Sequence, residues 1–532
     1  MRLEWLYRLI KQPSRFGRML QLPKFVLAVR VKRASEARLI KEKMMDYPDD
    51  GLALHTDYYE LNMMYTYWQQ GIDKKQAVFE AYFRDLPFGS GYAVSAGLEH
   101  AVQYLQNLRF TASDIDYLRE VTEYPEDFLT YLRNFKFTAT VRAAIEGDLV
   151  FNNEPIFQVE GELAQGQLVE TAILNILNYQ TLVATKAARI RSVVGDDPLM
   201  EFGTRRAQET AAAMWGTRAA YIGGFNSTSN VRAGKVFGIP IAGTHAHSLV
   251  QAYRDDYTAF KAYAESFHDV TFLVDTYDTL RSGVPAAIRV ANEMGDKINF
   301  QAVRIDSGDM AYISKRVRQQ LDAAGYTNTK IVASNDLDEN TIQNLKMQGA
   351  KIDLWGVGTK VITAYDHPAL GAVYKLVAIE DENGQLADTI KLSSNAVKVS
   401  TPGKKQVWRI TRKSNGKSEG DYVALADEDV AAQPKVYMFH PNYPYINKMV
   451  TDFDARPVLR TIFDHGELVY DLPTLTEIRD FAMHSVDSLW DEYKRVLNPQ
   501  DYPVDLSQAA WDNKMNLIKE IHNAVHQPDQ PL

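Results

Sequence analysis

With 532 residues, 45% hydrophobic and 24% charged, the chain is long enough for two or three domains with sizeable cores. It has no cysteine, which excludes disulfides, thiolate nucleophiles and cysteine-held metals. A net charge of −9 argues against a nucleic-acid surface, no apolar run is long enough for stable membrane insertion, and a cytoplasmic protein is expected.

Charge is unevenly spread. Residues 1–43 carry twelve Lys/Arg against three Asp/Glu, leaving the remainder near −18. Residues 1–44 lack the apolar core of a secretory signal. They read as a basic extension that is loosely docked, lies on an anionic membrane, or precedes a working start at Met44 or Met45. Residues 45–165 mix helices and short strands into an α/β domain. The run HTDYYELNMMYTYWQQ opens with an aspartate cap, Asp57, before aromatic and Met residues at helical spacing. Phe79–Phe83 alternates like a strand, and short strands follow near 139–145, 149–151 and 156–160.

Leu168 to Val194 reads as one long helix. Strand ends then recur at Phe202, Phe225–Ser229, Ala242–His247, Phe272–Asp275, Val303–Asp306, Val332–Asn335 and Leu354–Gly358, with helical stretches between most of them. That alternation demands a parallel sheet with helices outside. The expected fold class is α/β: an incomplete parallel α/β barrel over 166–375, with an added mixed α/β domain built from the N-terminal and C-terminal regions. Residues 376–532 pack on the first domain and end in helices.

Ligands of such sheets bind where strands hand over to loops. Gly243-Thr244-His245-Ala246-His247-Ser248 places two imidazoles there. On a strand they face one side and suit zinc or iron, but later strand ends offer Asp275, Asp306 and Asp336 rather than further histidines. An imidazole beside a carboxylate instead accepts a proton or a phosphoryl group. Asp275 is the orienting carboxylate, or a helix cap before Thr276. In Arg304-Ile305-Asp306-Ser307-Gly308-Asp309, alternating Arg and Asp share one side, the Ser-Gly turn brings in Asp309, and the two carboxylates suit sugar hydroxyls. Trp355-Gly356-Val357-Gly358-Thr359-Lys360 is a turn that suits phosphate. Glu201-Phe202-Gly203-Thr204-Arg205-Arg206 sets an aromatic face beside two guanidiniums that can fork onto a carboxylate or phosphate. Lys186 and Arg189 lie one helical turn apart and add positive charge, or else form a solvated helix face. Together these groups describe a phosphorylated sugar meeting a flat anionic ring.

HTDYYELNM, EFGTRRA, GTHAHSLV, RIDSGD, ASNDLDE and GVGT, in this order, resemble the nicotinate phosphoribosyltransferase family over roughly residues 50–490. The resemblance implies a type II phosphoribosyltransferase barrel. The reaction it implies joins nicotinate to 5-phosphoribosyl 1-pyrophosphate (PRPP), giving nicotinate mononucleotide and pyrophosphate in NAD salvage. It also implies Mg2+, with ligands unassigned, and ATP as co-substrate, its hydrolysis coupled through a phosphohistidine. The phosphorylated residue matches His247 rather than His245, with Asp275 as its orienting acid. Phe202, Arg205, Arg206 and Arg304 are implied at nicotinate. Asp306, Asp309, Ser334, Asn335, Gly356, Gly358, Thr359, Lys186 and Arg189 are implied at the ribose and phosphates. Phe202 resembles one half of an aromatic sandwich whose other half, Tyr59, comes from a neighbouring subunit, so a homodimer follows. Nicotinamide-using relatives carry an acid in the loop matching 227–230. Here Ser229 occupies that position, favouring an anionic ring. A nicotinamide or quinolinate phosphoribosyltransferase, a barrel metal hydrolase and a non-catalytic regulator are the alternatives.

Overall fold

A computed structural model describes residues 52–394 and 398–525, so the readings placed on residues 1–44 lie outside the described residues. Six short strands build a parallel sheet: β1 (Leu199–Glu201), β2 (Ser227–Thr228), β3 (Asp269–Leu273), β4 (Asn299–Ile305), β5 (Lys330–Ala333) and β6 (Leu354–Val357). Their order is β2-β1-β6-β5-β4-β3, every pair parallel. Val303, Ile305, Ile331, Ala333, Trp355 and Val357 are all buried, as expected of strands covered on both faces by helices.

The sheet stays open between β3 and β2, and the segment around Ile239–His247 fills the gap. Ile241 bridges to Thr228 on one side. On the other, His245 Nε2 accepts the Leu273 N–H at 3.1 Å. A side chain therefore makes the contact that a ladder would make, which is why the barrel is incomplete. The expected strand through Ala242–His247 is corrected: 242–246 carry no strand pairing, and His247 opens the helix His247–Tyr253.

The second sheet is antiparallel. Its order is Leu386–Asp388, Ala372–Glu380, Gln76–Phe83, Phe157–Glu162, Thr140–Ala144, Leu459–Asp464, Glu467–Leu468. Strands from both ends of the chain thus share one sheet and form the added domain. The helix Glu170–Val194 links this domain to the barrel. Ile173, Ile176 and Leu177 pack in the antiparallel domain's core, whereas Val183, Ala184, Ala187 and Ile190 pack in the barrel's. A helix apolar on nearly all sides is a core helix, not a surface one. Among the described residues no helix is long and apolar enough to cross a membrane.

A third, four-stranded sheet includes Lys405–Arg412, Ser418–Leu425 and Val504–Leu506, and the helices Leu475–Ser488 and Gln508–Val525 lie in the last stretch, as expected. Arg409 ties it to the first domain. It meets Asp421 at 2.7 Å and Asp148 at 2.5 Å, all three buried, and Arg456 also reaches Asp148. Arg409→Met leaves the buried Asp421 without a cation and Asp148 with Arg456 alone, and is expected to cost about 3–5 kcal/mol in urea unfolding.

Asp57 occupies the N-cap position of the helix Tyr58–Gln70, but its carboxylate accepts from Thr171 Oγ1 at 2.8 Å rather than from the first turn. Next to Tyr59, Glu60 is fully buried and accepts from the Thr171 N–H and hydroxyl (3.0 and 2.9 Å) and from Thr56. Burial above all, with Glu170 and Asp57 nearby, pushes Glu60 up to about 7. Because the folded pKa lies above the unfolded one, the cost of holding Glu60 ionised is absent below about 4.5 and complete above about 7. Glu60→Gln is therefore expected to stabilise by about 1–3 kcal/mol at pH 8 and to change little at pH 4, as read by thermal unfolding.

Candidate functional site

The carboxyl ends of β1, β4, β5 and β6 converge with the 239–247 segment. Arg304, next to last in β4, is the hub. Its Nε donates to Ser334 Oγ (2.9 Å), Nη1 to Thr244 Oγ1 (3.1 Å) and Nη2 to Asp306 Oδ1 (3.2 Å). Asp306 Oδ1 also accepts from the Ser334 hydroxyl. The guanidinium carbon stands 5.4 Å over the Phe202 ring, a cation–π contact that sets an aromatic face and a positive charge on the same wall. Phe202 follows β1 directly and is half-buried. Gly356 of β6 makes room for it, since a Cβ there would come within 2.6 Å of the ring. A Cβ at Gly358 would lie 3.0 Å from the Phe202 carbonyl. These glycines thus have a packing reason besides any phosphate contact. Gly358 leads into the short helix Thr359–Ile362, and Arg205 and Arg206 are exposed on the turn Thr204–Arg206.

The two imidazoles part company. His245 is buried between Phe260 and Tyr263, its Nε2 accepting from Leu273 and its Nδ1 3.4 Å from the Ala246 carbonyl. Burial first, then Arg304 and His247, hold it below the usual histidine range, so it stays neutral. With both nitrogens engaged it cannot chelate alongside His247, and the reading of H-x-H as a strand pair is corrected. Among the described residues no group of three or more His, Cys, Asp or Glu is placed to hold a metal. The His247 side chain is 41% exposed. Its Nδ1 lies 3.0 Å from Thr276 Oγ1 and its Nε2 4.0 Å from Asp306 Oδ2.

The side-chain hydrogen bond of His247 goes to Thr276 rather than to the neighbouring Asp275. Asp275 Oδ2 instead accepts from the Asp306 N–H (3.0 Å) and the Ser307 hydroxyl (2.6 Å), bracing the turn after β4, while Oδ1 is buried without a partner. Nor does Asp275 cap a helix; Asp278 does, accepting from Leu280 and Arg281. Asp309 caps the helix Met310–Ala323 through Tyr312 N–H at 3.0 Å.

For Lys186 and Arg189 the solvated-face reading is corrected. Neither is solvated and neither offers a free charge to the site. Lys186 Nζ pairs with Glu339 (2.9 Å) and Asp366 (2.8 Å), and Arg189 Nε pairs with Glu339 (2.9 Å), with Lys186, Arg189 and Glu339 all buried. The helix carrying them runs through two cores, so it has no open face at that level. Glu339 begins the helix Glu339–Met347 just after the loop that holds Ser334 and Asn335. In that loop Asn335 and Asp336 adopt φ of 93° and 42°, a backbone region that must be held in place by its surroundings. The buried pairs anchor that loop.

Tyr59 is 47% exposed and, among the described residues, does not stack on Phe202 within its own chain. Burial, then Glu170 and Glu60, push its phenol up to about 12. Thr244, Thr276 and Ser307 join the site without an expected role of their own. Each adjoins a residue that has one, and a hydroxyl flanking a strand end is the signal that marks them.

Comparison with known proteins follows the same lines. Family models described as the nicotinate phosphoribosyltransferase N-terminal domain, family and C-terminal domain match residues 54–178, 198–409 and 404–514. A nicotinate phosphoribosyltransferase from Bacillus subtilis is 59% identical over 486 residues, covering 91% of this chain and 99% of that protein. One from Homo sapiens is 33% identical, covering 86% and 94%. The crystal structure of human nicotinic acid phosphoribosyltransferase superposes with a TM-score of 0.76 at 30% identity, covering 88% and 99% of the two chains. With this identity spread over nearly the full length of its relatives, the chain belongs to the nicotinate phosphoribosyltransferase family.

Proposed function

We propose that the protein joins nicotinate to PRPP, releasing pyrophosphate and forming nicotinate mononucleotide for NAD salvage, with ATP hydrolysis coupled through phosphorylation of His247. The observation that carries this reading is the Phe202–Arg304 wall, an aromatic ring and a guanidinium at one strand edge, with Asp306 and Ser334 bonded to the same arginine. A flat carboxylate ring stacks on Phe202 while Arg304, with Arg205 and Arg206 at the mouth, favours its charge. Asp306, Ser334 and Asn335 face the sugar hydroxyls. The turn Gly356–Thr359 receives the 5-phosphate through its backbone N–H groups. Loss of pyrophosphate leaves positive charge on the ribose, so the ring nitrogen must already lie in line with the anomeric carbon, and stacking enforces that alignment.

Mg2+ keeps several waters and binds through one or two carboxylates plus substrate phosphates. Asp306 and Asp275, whose Oδ1 is buried and unpartnered, fit that donor set. When bound, the ion neutralises charge on the departing pyrophosphate. His247 has the exposure a phosphoryl acceptor needs. With Nδ1 bonded to Thr276 Oγ1, Nε2 is the nucleophilic nitrogen, and the phosphoryl group then adds negative charge beside Asp306, so binding and release of the anionic substrates change with phosphorylation. Tyr59, exposed and with no ring stacked on it among the described residues, serves the slot of a partner copy in a homodimer. The neutral Ser229 loop selects nicotinate over nicotinamide.

Incubation with γ-labelled ATP should place an acid-labile phosphate on His247. His247→Ala should lose both the label and most ATP-stimulated nicotinate consumption; a label retained elsewhere in that variant would sink the coupling. Arg304→Lys keeps the charge but loses the planar fork, and should lower kcat/KM for nicotinate by about 10- to 100-fold with folding intact.

A further inference from the structure

Beneath the Phe202 wall lies a buried carboxyl group to which the reaction assigns no task. Glu201 ends β1, one residue before the ring, and is 1% exposed. Its carboxylate forms no ion pair among the described residues. It accepts instead from three neutral donors: the Gly203 N–H, Thr217 Oγ1 (3.0 Å) and Thr228 Oγ1 (2.6 Å). Burial raises its pKa, and those three hydrogen bonds oppose the rise. A carboxylate buried without a cation is costly and persists only where its hydrogen bonds are well made.

The three donors come from three separate pieces of the slot. Gly203 directly follows Phe202. Thr217 lies on the helix Glu209–Ile222, which continues from the turn bearing Arg205 and Arg206. Thr228 directly precedes Ser229. The backbone of Glu201 acts on the same loop, since its carbonyl accepts the Ser229 N–H at 2.9 Å and it pairs in register with Thr228. Gly203 is confined as well, because a Cβ there would meet Glu201 Oε1 at 2.8 Å and Ile362 at 2.6 Å. The aromatic wall and the loop carrying Ser229 thus share one fixed point.

We infer that Glu201 is a positioning residue that holds the Phe202 wall and the Thr228–Ser229 loop in mutual register, and so sets the affinity for the pyridine ring and the choice between nicotinate and nicotinamide. The inference rests on the reading of Phe202 as the ring slot. Hydroxyl and amide donors bind by direction more than by charge, so a small displacement of either piece breaks the bonds. An amide at 201 can still accept from Gly203 and donate to the two hydroxyls, whereas an apolar isostere leaves the Gly203 N–H unsatisfied.

Steady-state kinetics of Glu201→Leu, Glu201→Gln, Thr228→Val and Phe202→Ala test this. Glu201→Leu should raise the KM for nicotinate by about tenfold or more, leave the KM for PRPP within about twofold, and reduce the nicotinate-to-nicotinamide preference, with Glu201→Gln restoring most of each. If Glu201→Leu does not fold, Thr228→Val reads the same link with the same split. Equal changes in both KM values, or a fall in kcat alone, overturn the inference. If Phe202→Ala raises the nicotinate KM while Glu201→Leu and Thr228→Val do not, only the role of Glu201 falls. If Phe202→Ala leaves that KM unchanged, the ring-slot reading fails and takes this inference with it.

Discussion

A guanidinium presents five donors in a rigid plane, and Arg304 uses that plane to join two strand ends and the segment that fills the barrel gap. Ser334 belongs to the loop after β5, Thr244 to the segment that closes the barrel gap, and Asp306 to the end of its own strand. The same group lies over Phe202, which follows β1. Much of the local design follows from this crossing. Gly356 leaves the space that the Phe202 ring occupies, and Asp275 braces the backbone that carries Asp306. His245 reaches across to β3 so that Thr244 arrives at the arginine.

Buried charge recurs as a way of holding loops rather than as a reagent. Lys186 and Arg189 neutralise Glu339 at the start of the helix after the Ser334–Asn335 loop. Arg409 joins two buried aspartates between the N-terminal and C-terminal portions. Such pairs are poor sources of stability against a hydrophobic replacement, but they demand one geometry, because each partner is costly when left alone. A site that aligns a ring nitrogen with an anomeric carbon benefits from that rigidity more than from extra affinity.

The division of labour between the histidines shows how far spacing can be read. Two residues apart on an assumed strand, both side chains should share a face. The chain leaves strand geometry at Ala242, so the two rings diverge. One is buried on backbone groups, and the other stays open at the first residue of a helix. Similarly, the spacing of Lys186 and Arg189 correctly places them on one helix face. Whether that face meets water or a carboxylate depends on a helix some 150 residues away in sequence.

By itself the sequence determined the α/β alternation, the positions of most barrel strands, the long helix ending at Val194, and the site motifs around Phe202, His247, Arg304 and Gly356. These are local matters: hydrophobic period, turn residues, and the order of short motifs along one chain. Only the tertiary structure decided that Thr276 and not Asp275 meets His247, that Lys186 and Arg189 are neutralised, and that strands from both ends share one sheet. It also decided that Glu201 ties the ring wall to the Ser229 loop. Each of these depends on which distant group fills a buried donor's or acceptor's last position, and a buried polar atom takes whatever partner packing delivers.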